Sequence, residues 1–186
     1  MTSKSEPWYI HAALLVVILI LSYILIKVAY IDPSNYMKQE NYYKTESHLR
    51  MDNIRQAEIL WDKKYKRFTD NLDSLVNFVK TDSFVYQVMN GVDTITGKST
   101  NPFKKLKSVG AFVPESLFFS PKTHKRYILQ VDTSTVLDTF INRRGKITKV
   151  DTNITIGTRY FLKDPDGYGT IGDLHNEALK NTASWE

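Results

Sequence analysis

The stretch Asp164-Pro-Asp166-Gly-Tyr-Gly-Thr-Ile-Gly-Asp173 holds the residue types in this chain that come closest to ligand chemistry. Two carboxylates two positions apart, with Gly167 relieving the backbone beside them, can turn hard oxygens toward Ca²⁺, and Asp173 is the candidate that completes the set. The spacing departs from an EF-hand loop, because position 168 is a tyrosine where an acid would be needed. Asp-Pro-Asp-Gly is also an ordinary turn sequence. Turn formation is therefore the first expectation, and calcium at Asp164, Asp166 and Asp173 is the one metal site the sequence offers. No other cofactor is expected.

Catalytic patterns are sparse. The chain contains no Gly-x-Ser-x-Gly elbow and no His-Glu-x-x-His, and its lack of cysteine excludes a thiol nucleophile. His48, His124 and His175 are too dispersed to imply a zinc site from spacing alone. These absences point away from an enzyme, and no small-molecule substrate is identified. Basic residues occur in short separated clusters, such as Lys63-Lys64-Tyr65-Lys66-Arg67 and Lys104-Lys105-Leu106-Lys107. Such runs are usually solvated faces and turn tips that are also able to meet lipid headgroups or an acidic partner. Setting aside Lys4, Lys27 and Glu6 leaves 23 basic and 19 acidic residues, a net +4 that does not predict nucleic-acid binding.

Everything else follows from the amino-terminal segment. From Pro7 to Ile26 no Asp, Glu, Lys or Arg occurs, a run long enough to cross a hydrocarbon core of about 30 Å as a helix. It is too long for a secretory signal, and bulky Tyr30 and Ile31 follow it where small residues would mark a cleavage site. Trp8 and Tyr9 at one end, and Tyr23, Lys27 and Tyr30 at the other, suit the two membrane interfaces. His11 reads as interfacial. The division expected is a tail over 1–7, a transmembrane helix over 8–30, a juxtamembrane stalk over 31–50 and an extramembrane domain over 51–186.

Orientation is set by opposing cues. Lys27, Lys38 and Lys44 follow the helix against Lys4 before it, a count that leans toward a cytoplasmic carboxyl domain. Long domains translocate largely regardless of charge, the short polar tail resembles a signal anchor, and a cysteine-free domain suits an oxidising compartment. The expectation is a bacterial inner-membrane protein with its carboxyl domain in the periplasm.

Past the span, Asp32-Pro33-Ser34 supplies a break and a helix start, and no Gly or Pro interrupts the chain from Asn35 to about Lys66. Met51, Ile54, Ala57, Trp61, Tyr65 and Phe68 recur at spacings of three and four as one apolar stripe. A second helix follows, capped by Thr69 or Asp70, with Leu72, Leu75, Val76 and Val79 inward. Strands are expected afterwards: a hairpin over 84–96 about Asn90-Gly91, then runs at 127–131, 136–141 and 147–156, the last two joined by a loop over 142–146. The fold class expected is α+β: a transmembrane helix, a long stem helix and a short second helix packed on a small antiparallel sheet.

The order of apolar helix, aromatic-bearing stem, Tyr65-Lys-Arg-Phe68 and Thr69-Asp-Asn-Leu-Asp-Ser-Leu75 resembles the beginning of type IV pilins and type II secretion pseudopilins over roughly the first 80 residues. Nothing in residues 1–25 reproduces the pilin leader, its cleavage glycine or the Glu that enters the apolar segment. The whole chain more closely resembles a group of single-span envelope proteins of Bacteroidota, over most residues after 45, through Ile54-Arg-Gln-Ala57, the segment Tyr65 to Phe78, the run ending Phe78-Val-Lys-Thr-Asp-Ser83 and the terminal stretch Asn181 to Glu186 closing in Trp-Glu. Because some pseudopilins bind calcium near their carboxyl end, that likeness also bears on the Asp164 loop. The anchor, the uninterrupted stem and the absent chemistry point to a non-catalytic subunit or accessory factor of an envelope complex, with the bilayer and other envelope proteins as partners. The alternatives are a pilin-like assembly subunit and a membrane-tethered enzyme without a recognisable motif.

Overall fold

The computed structural model describes residues 8–141 and 146–186 and divides the chain into two compact units, Met1–Tyr43 and Lys44–Glu186. In the first, helix α1 covers Trp8–Ile26, carries no charged side chain in either terminal turn and buries none of its residues. The helical segment that contains it is long and apolar enough to cross a membrane. A π-helical turn, Lys27–Ile31, follows, in which the Asp32 amide donates to the Lys27 carbonyl, and α2 covers Asp32–Tyr65. The expected break at Asp32-Pro33-Ser34 is therefore a change of pitch. Proline lacks an N–H and its ring crowds the carbonyl four residues back, and a widened turn ahead of Pro33 lets the helix continue.

The second unit begins at Lys44, so residues 44–50 belong to the folded body and not to a stalk. Glu46 and Ser47 are fully buried there, because distant loops supply their polar partners. Along the predicted stripe of α2, Met51, Ile54 and Ala57 are buried, Trp61 is partly covered and Tyr65 is 45% exposed, while Leu60 takes a core position instead. The helix ends as Lys66 adopts a φ of 59° and its amide donates to the Asp62 carbonyl at 2.8 Å, a left-handed stop that the next turn exploits. Phe68 then enters the core from that turn.

Helix α3, Leu72–Thr81, buries Leu72, Leu75, Val76, Phe78 and Val79. Its cap is Asn71, whose side chain accepts from the Asp73 and Ser74 amides at 2.9 and 3.0 Å, one or two residues beyond the expected Thr69 or Asp70. The expected hairpin over 84–96 does not form. Residues Ser83–Asn90 make helix α4, capped by the Asp82 carboxylate on the Phe84 amide at 2.9 Å. Val85 is buried and Val88 and Met89 pack beside it, positions spaced by three and one that lie together on a helix face but not on one side of a strand. After Gly91 only an isolated bridge, Val92 with Ser99, survives of the second strand.

The sheet has three antiparallel strands in the order β1-β2-β3, with β1 at Ile128–Ile141, β2 at Ile147–Lys163 and β3 at Thr170–Gly172. The runs expected at 127–131 and 136–141 are one strand interrupted by a bulge. Leu129 faces Leu162 and Val131 faces Tyr160, but the next pair is Thr133 with Ile156. At the irregularity Asp132 is buried and accepts from the Arg159 amide at 2.6 Å, so the bulge aims a carboxylate at the opposing strand. The loop expected over 142–146 falls outside the described residues except Lys146. Strand β3 was hidden in the acidic stretch and pairs Ile171 with Leu162. Leu129, Tyr160, Leu162 and Ile171 carry the sheet's share of a core to which α2 and α3 contribute.

Gly157 fixes the turn after α2 to β2. Its carbonyl accepts from the Phe68 amide at 2.7 Å, its φ is +77°, and a Cβ there would meet the Phe68 carbonyl oxygen at 2.6 Å. Gly157→Ala should therefore destabilise the full-length protein in detergent by about 1–3 kcal/mol, read from chemical denaturation. An unchanged midpoint would show that this close approach is not required.

Candidate functional site

The acidic loop is held by a buried polar network. Strand β2 ends at Lys163, which leaves Asp164 fully buried against the flank of α2. The Ser47 hydroxyl donates to Asp164 Oδ2, and Ser47 Oγ also lies 3.1 Å from the Tyr127 hydroxyl. The Asp166 amide donates to Asp164 Oδ1 at 2.7 Å, and the loop closes as the Gly167 amide donates to the Asp164 carbonyl at 3.2 Å. Gly167 has a φ of +81°, the conformation that makes glycine useful in such a turn. On the other side of Ser47, the His48 ring lies flat on Trp185 at 3.9 Å, with Nε2 2.9 Å from the Tyr168 carbonyl.

The three aspartates end up in different roles. Burial raises Asp164 above its ordinary range, opposed by the donors on Ser47 and Asp166. Burial also pushes Asp166 up, but the hydroxyls of Thr123 and Ser120 outweigh it and hold that carboxyl low. Asp173 is held low by the amides of His175 and Asn176, at 2.6 and 2.8 Å, where it caps the turn before the final segment. The carboxylate oxygens of all three accept from the protein's own N–H and O–H groups. Among the described residues no group of three or more His, Asp or Glu side chains could hold a metal ion, so Asp164, Asp166 and Asp173 are not gathered into a ligand set. Their lone pairs fasten loops.

A hydroxyl beside a carboxylate, with a histidine one residue away, invites comparison with a nucleophile and its base. Ser47 and Asp164 are fully buried and Tyr127 almost so, and burial lifts the Tyr127 phenol above its usual range. No solvent-facing oxygen is offered to a substrate, and the arrangement ties α2, the 164–169 loop and Tyr127 together.

Other buried polar residues also escaped the sequence reading. Glu46 accepts from the Lys107 amide at 2.9 Å and the Ser108 hydroxyl at 2.6 Å. Asn53 both donates to the Lys104 carbonyl at 2.9 Å and accepts from its amide at 2.7 Å, in the manner of a neighbouring strand. Asp132 belongs to the bulge described above. Glu58 accepts from the Thr69 amide at 3.2 Å through Oε2, while its Oε1 is buried without a hydrogen-bond partner. Glu46 and Asn53 recur on α2 at the seven-residue spacing of a single helix face, the one signal by which a sequence reading could have found them.

No family model matches this chain, nor does any curated protein or solved structure.

Glu58 makes the body sensitive to pH. Burial raises its carboxyl from the ordinary 4.5 to about 8, with Asp62 and Asp70 adding to the rise and the Thr69 amide opposing it. The folded state therefore holds this proton more tightly than the unfolded chain. Stability from this group is full below pH 4.5 and falls as the pH climbs to about 8. Glu58→Gln, which removes the ionisation at constant shape, should leave stability unchanged at pH 4.5 and raise it at pH 8 by on the order of a few kcal/mol. Parallel loss of stability in both proteins across that window would contradict the assignment.

Proposed function

We propose that this chain is a single-pass, membrane-anchored, non-catalytic subunit or accessory factor of a bacterial envelope complex, with its α+β unit in the periplasm making protein contacts. The observation that carries the reading is α1: nineteen residues without a charge, all exposed. At 1.5 Å per residue such a helix reaches about 28 Å, the thickness of a hydrocarbon core. An apolar surface of that length is stable only in lipid or against other apolar surface. The likeness to single-span envelope proteins of Bacteroidota supports the compartment. The body supports the role, because its buried carboxylates and hydroxyls are engaged in holding loops.

The chain's freedom from cysteine allows a direct test. Tyr86, 70% exposed on α4, is replaced by cysteine, and cells with a permeabilised outer membrane are treated with a membrane-impermeant maleimide. Labelling without lysis is expected, followed by recovery of a stoichiometric partner when the tagged protein is purified in mild detergent. Labelling only after lysis would place the body in the cytoplasm, and a solitary protein would remove the subunit role.

A further inference from the structure

Among the described residues, the outer edge of β1 has no strand beside it. In the sheet order β1-β2-β3, β1 pairs only with β2. The opposite edge is short and occupied: β3 has three residues, Ile171 bridges to Ala183, and the Gly172 amide and Thr170 carbonyl are bonded to Thr182 and Ser184. On the β1 side the chain covers the edge only as far as Tyr127, whose amide donates to the Phe118 carbonyl at 3.2 Å. From Ile128 onward, no further strand pairs with it among the described residues.

A groove of about 420 Å³ runs along this uncovered start of β1, lined by Asp70, Asn71, Leu72 and Asp73 on one wall and by five consecutive residues, Arg126 to Gln130, on the other. A sheet face would contribute every second residue of a strand, whereas an edge presents all of them. Tyr127 and Leu129 are buried while Ile128 and Gln130 are exposed, so the strand has both its sides accounted for and offers the groove its backbone. Unpaired amides and carbonyls along an edge are a template for another extended chain.

Charge selects the occupant. Natural edges are commonly protected by lysine or proline, yet residues 127–141 contain neither of these and no arginine, within a chain of net charge +5. The facing wall carries Asp70 and Asp73. Arg126 is paired with Asp73 at 2.8 Å, which leaves exposed Asp70 without an ion pair among the described residues. A second copy of β1 would bring Asp132, and the Arg126 that precedes the strand is already paired with its own Asp73. We propose that the groove receives an extended, lysine- or arginine-bearing segment of a partner protein, which adds to the sheet beside β1 and sets a basic side chain against Asp70. This rests on the subunit reading above and names the surface that reading leaves open. The three uncovered residues of edge within the groove, Ile128 to Gln130, accommodate about 10 Å of extended chain.

The full-length protein in detergent is titrated with three synthetic ten-residue peptides: one alternating threonine and lysine, one alternating threonine and glutamate, and one alternating proline and lysine. The threonine-lysine peptide should bind and slow hydrogen exchange at alternate amides in residues 128–131. Asp70→Lys should weaken it about three- to tenfold. The glutamate peptide should bind more weakly still, and the proline peptide, which lacks half the donors, should give no protection at β1. Equal binding of all three peptides, or protection elsewhere, would overturn the proposal. Gln130→Cys separates its failure from that of the subunit reading. A crosslink from Gln130→Cys to a different protein in native membranes supports both, and a crosslink to a second copy of the chain overturns the basic-segment proposal. A stoichiometric complex that crosslinks only through other surfaces overturns the docking surface and leaves the subunit reading standing. If no complex is recovered but the threonine-lysine peptide still protects β1, the docking surface stands and the subunit reading falls.

Discussion

A polar side chain buried on the flank of a helix must be matched by donors or acceptors from elsewhere in the chain, and α2 carries five of them: Glu46, Ser47, Asp52, Asn53 and Glu58. The helix's own backbone is already satisfied, Arg50 and Arg55 reach Glu46 and Asp52 from within the helix, and the remaining partners come from other segments of the chain. Lys104 meets Asn53 through its main chain and Asp52 through its ammonium at 2.6 Å, Lys107 and Ser108 meet Glu46, Asp164 meets Ser47, and Thr69 meets Glu58. Each such group left unmatched would cost about 1–3 kcal/mol. That demand gives shape to stretches with little regular structure, above all 91–111 and 164–169. The apolar face of α2 collects the sheet and α3, and its polar flank collects the loops.

Two consequences meet at the turn over 66–70. The left-handed Lys66 and the Phe68 bond to Gly157 bring this turn against β2, and Glu58 reaches across to its Thr69 amide. The same turn leads into Asn71, the cap of α3, and forms one wall of the groove beside β1. A protonated Glu58 is compatible with its own burial and with nearby Asp62 and Asp70, whereas an ionised one is opposed by all three. The element that frames the proposed docking edge is thus supported by a carboxyl whose charge state matters near neutral pH.

How far the sequence revealed this depended on whether a signal was local. The apolar run of α1, the uninterrupted α2 and the buried face of α3 are periodic patterns with nearby punctuation, and they are found where the pattern puts them. Residues 84–89 alternate β-formers and read as a strand, but a single capping aspartate at 82 and the burial of Val85, Val88 and Met89 decide for a helix. Strand β3 was invisible because glycines and aspartates surround Ile171, whose burial depends on Leu162 and Ala183. In the Asp164 loop the turn was legible, and the absence of a gathered ligand set was not, since it depends on Ser47 and Thr123 from remote segments. Glu46 and Ser47 fell within the expected stalk over 31–50 because glutamate and serine on a helix usually face water.

The measurement that bears most directly on this account is native-state hydrogen exchange of the full-length protein, followed at single amides. If the polar flank of α2 organises the loops, the amides of Lys104 and Lys107, bonded to the Asn53 and Glu46 side chains, will open only with residues 51–57 of the helix, at the same free energy. Exchange of those two amides orders of magnitude faster, with the helix still protected, would mean that the loops ride on the surface and that the buried polar face does not hold them.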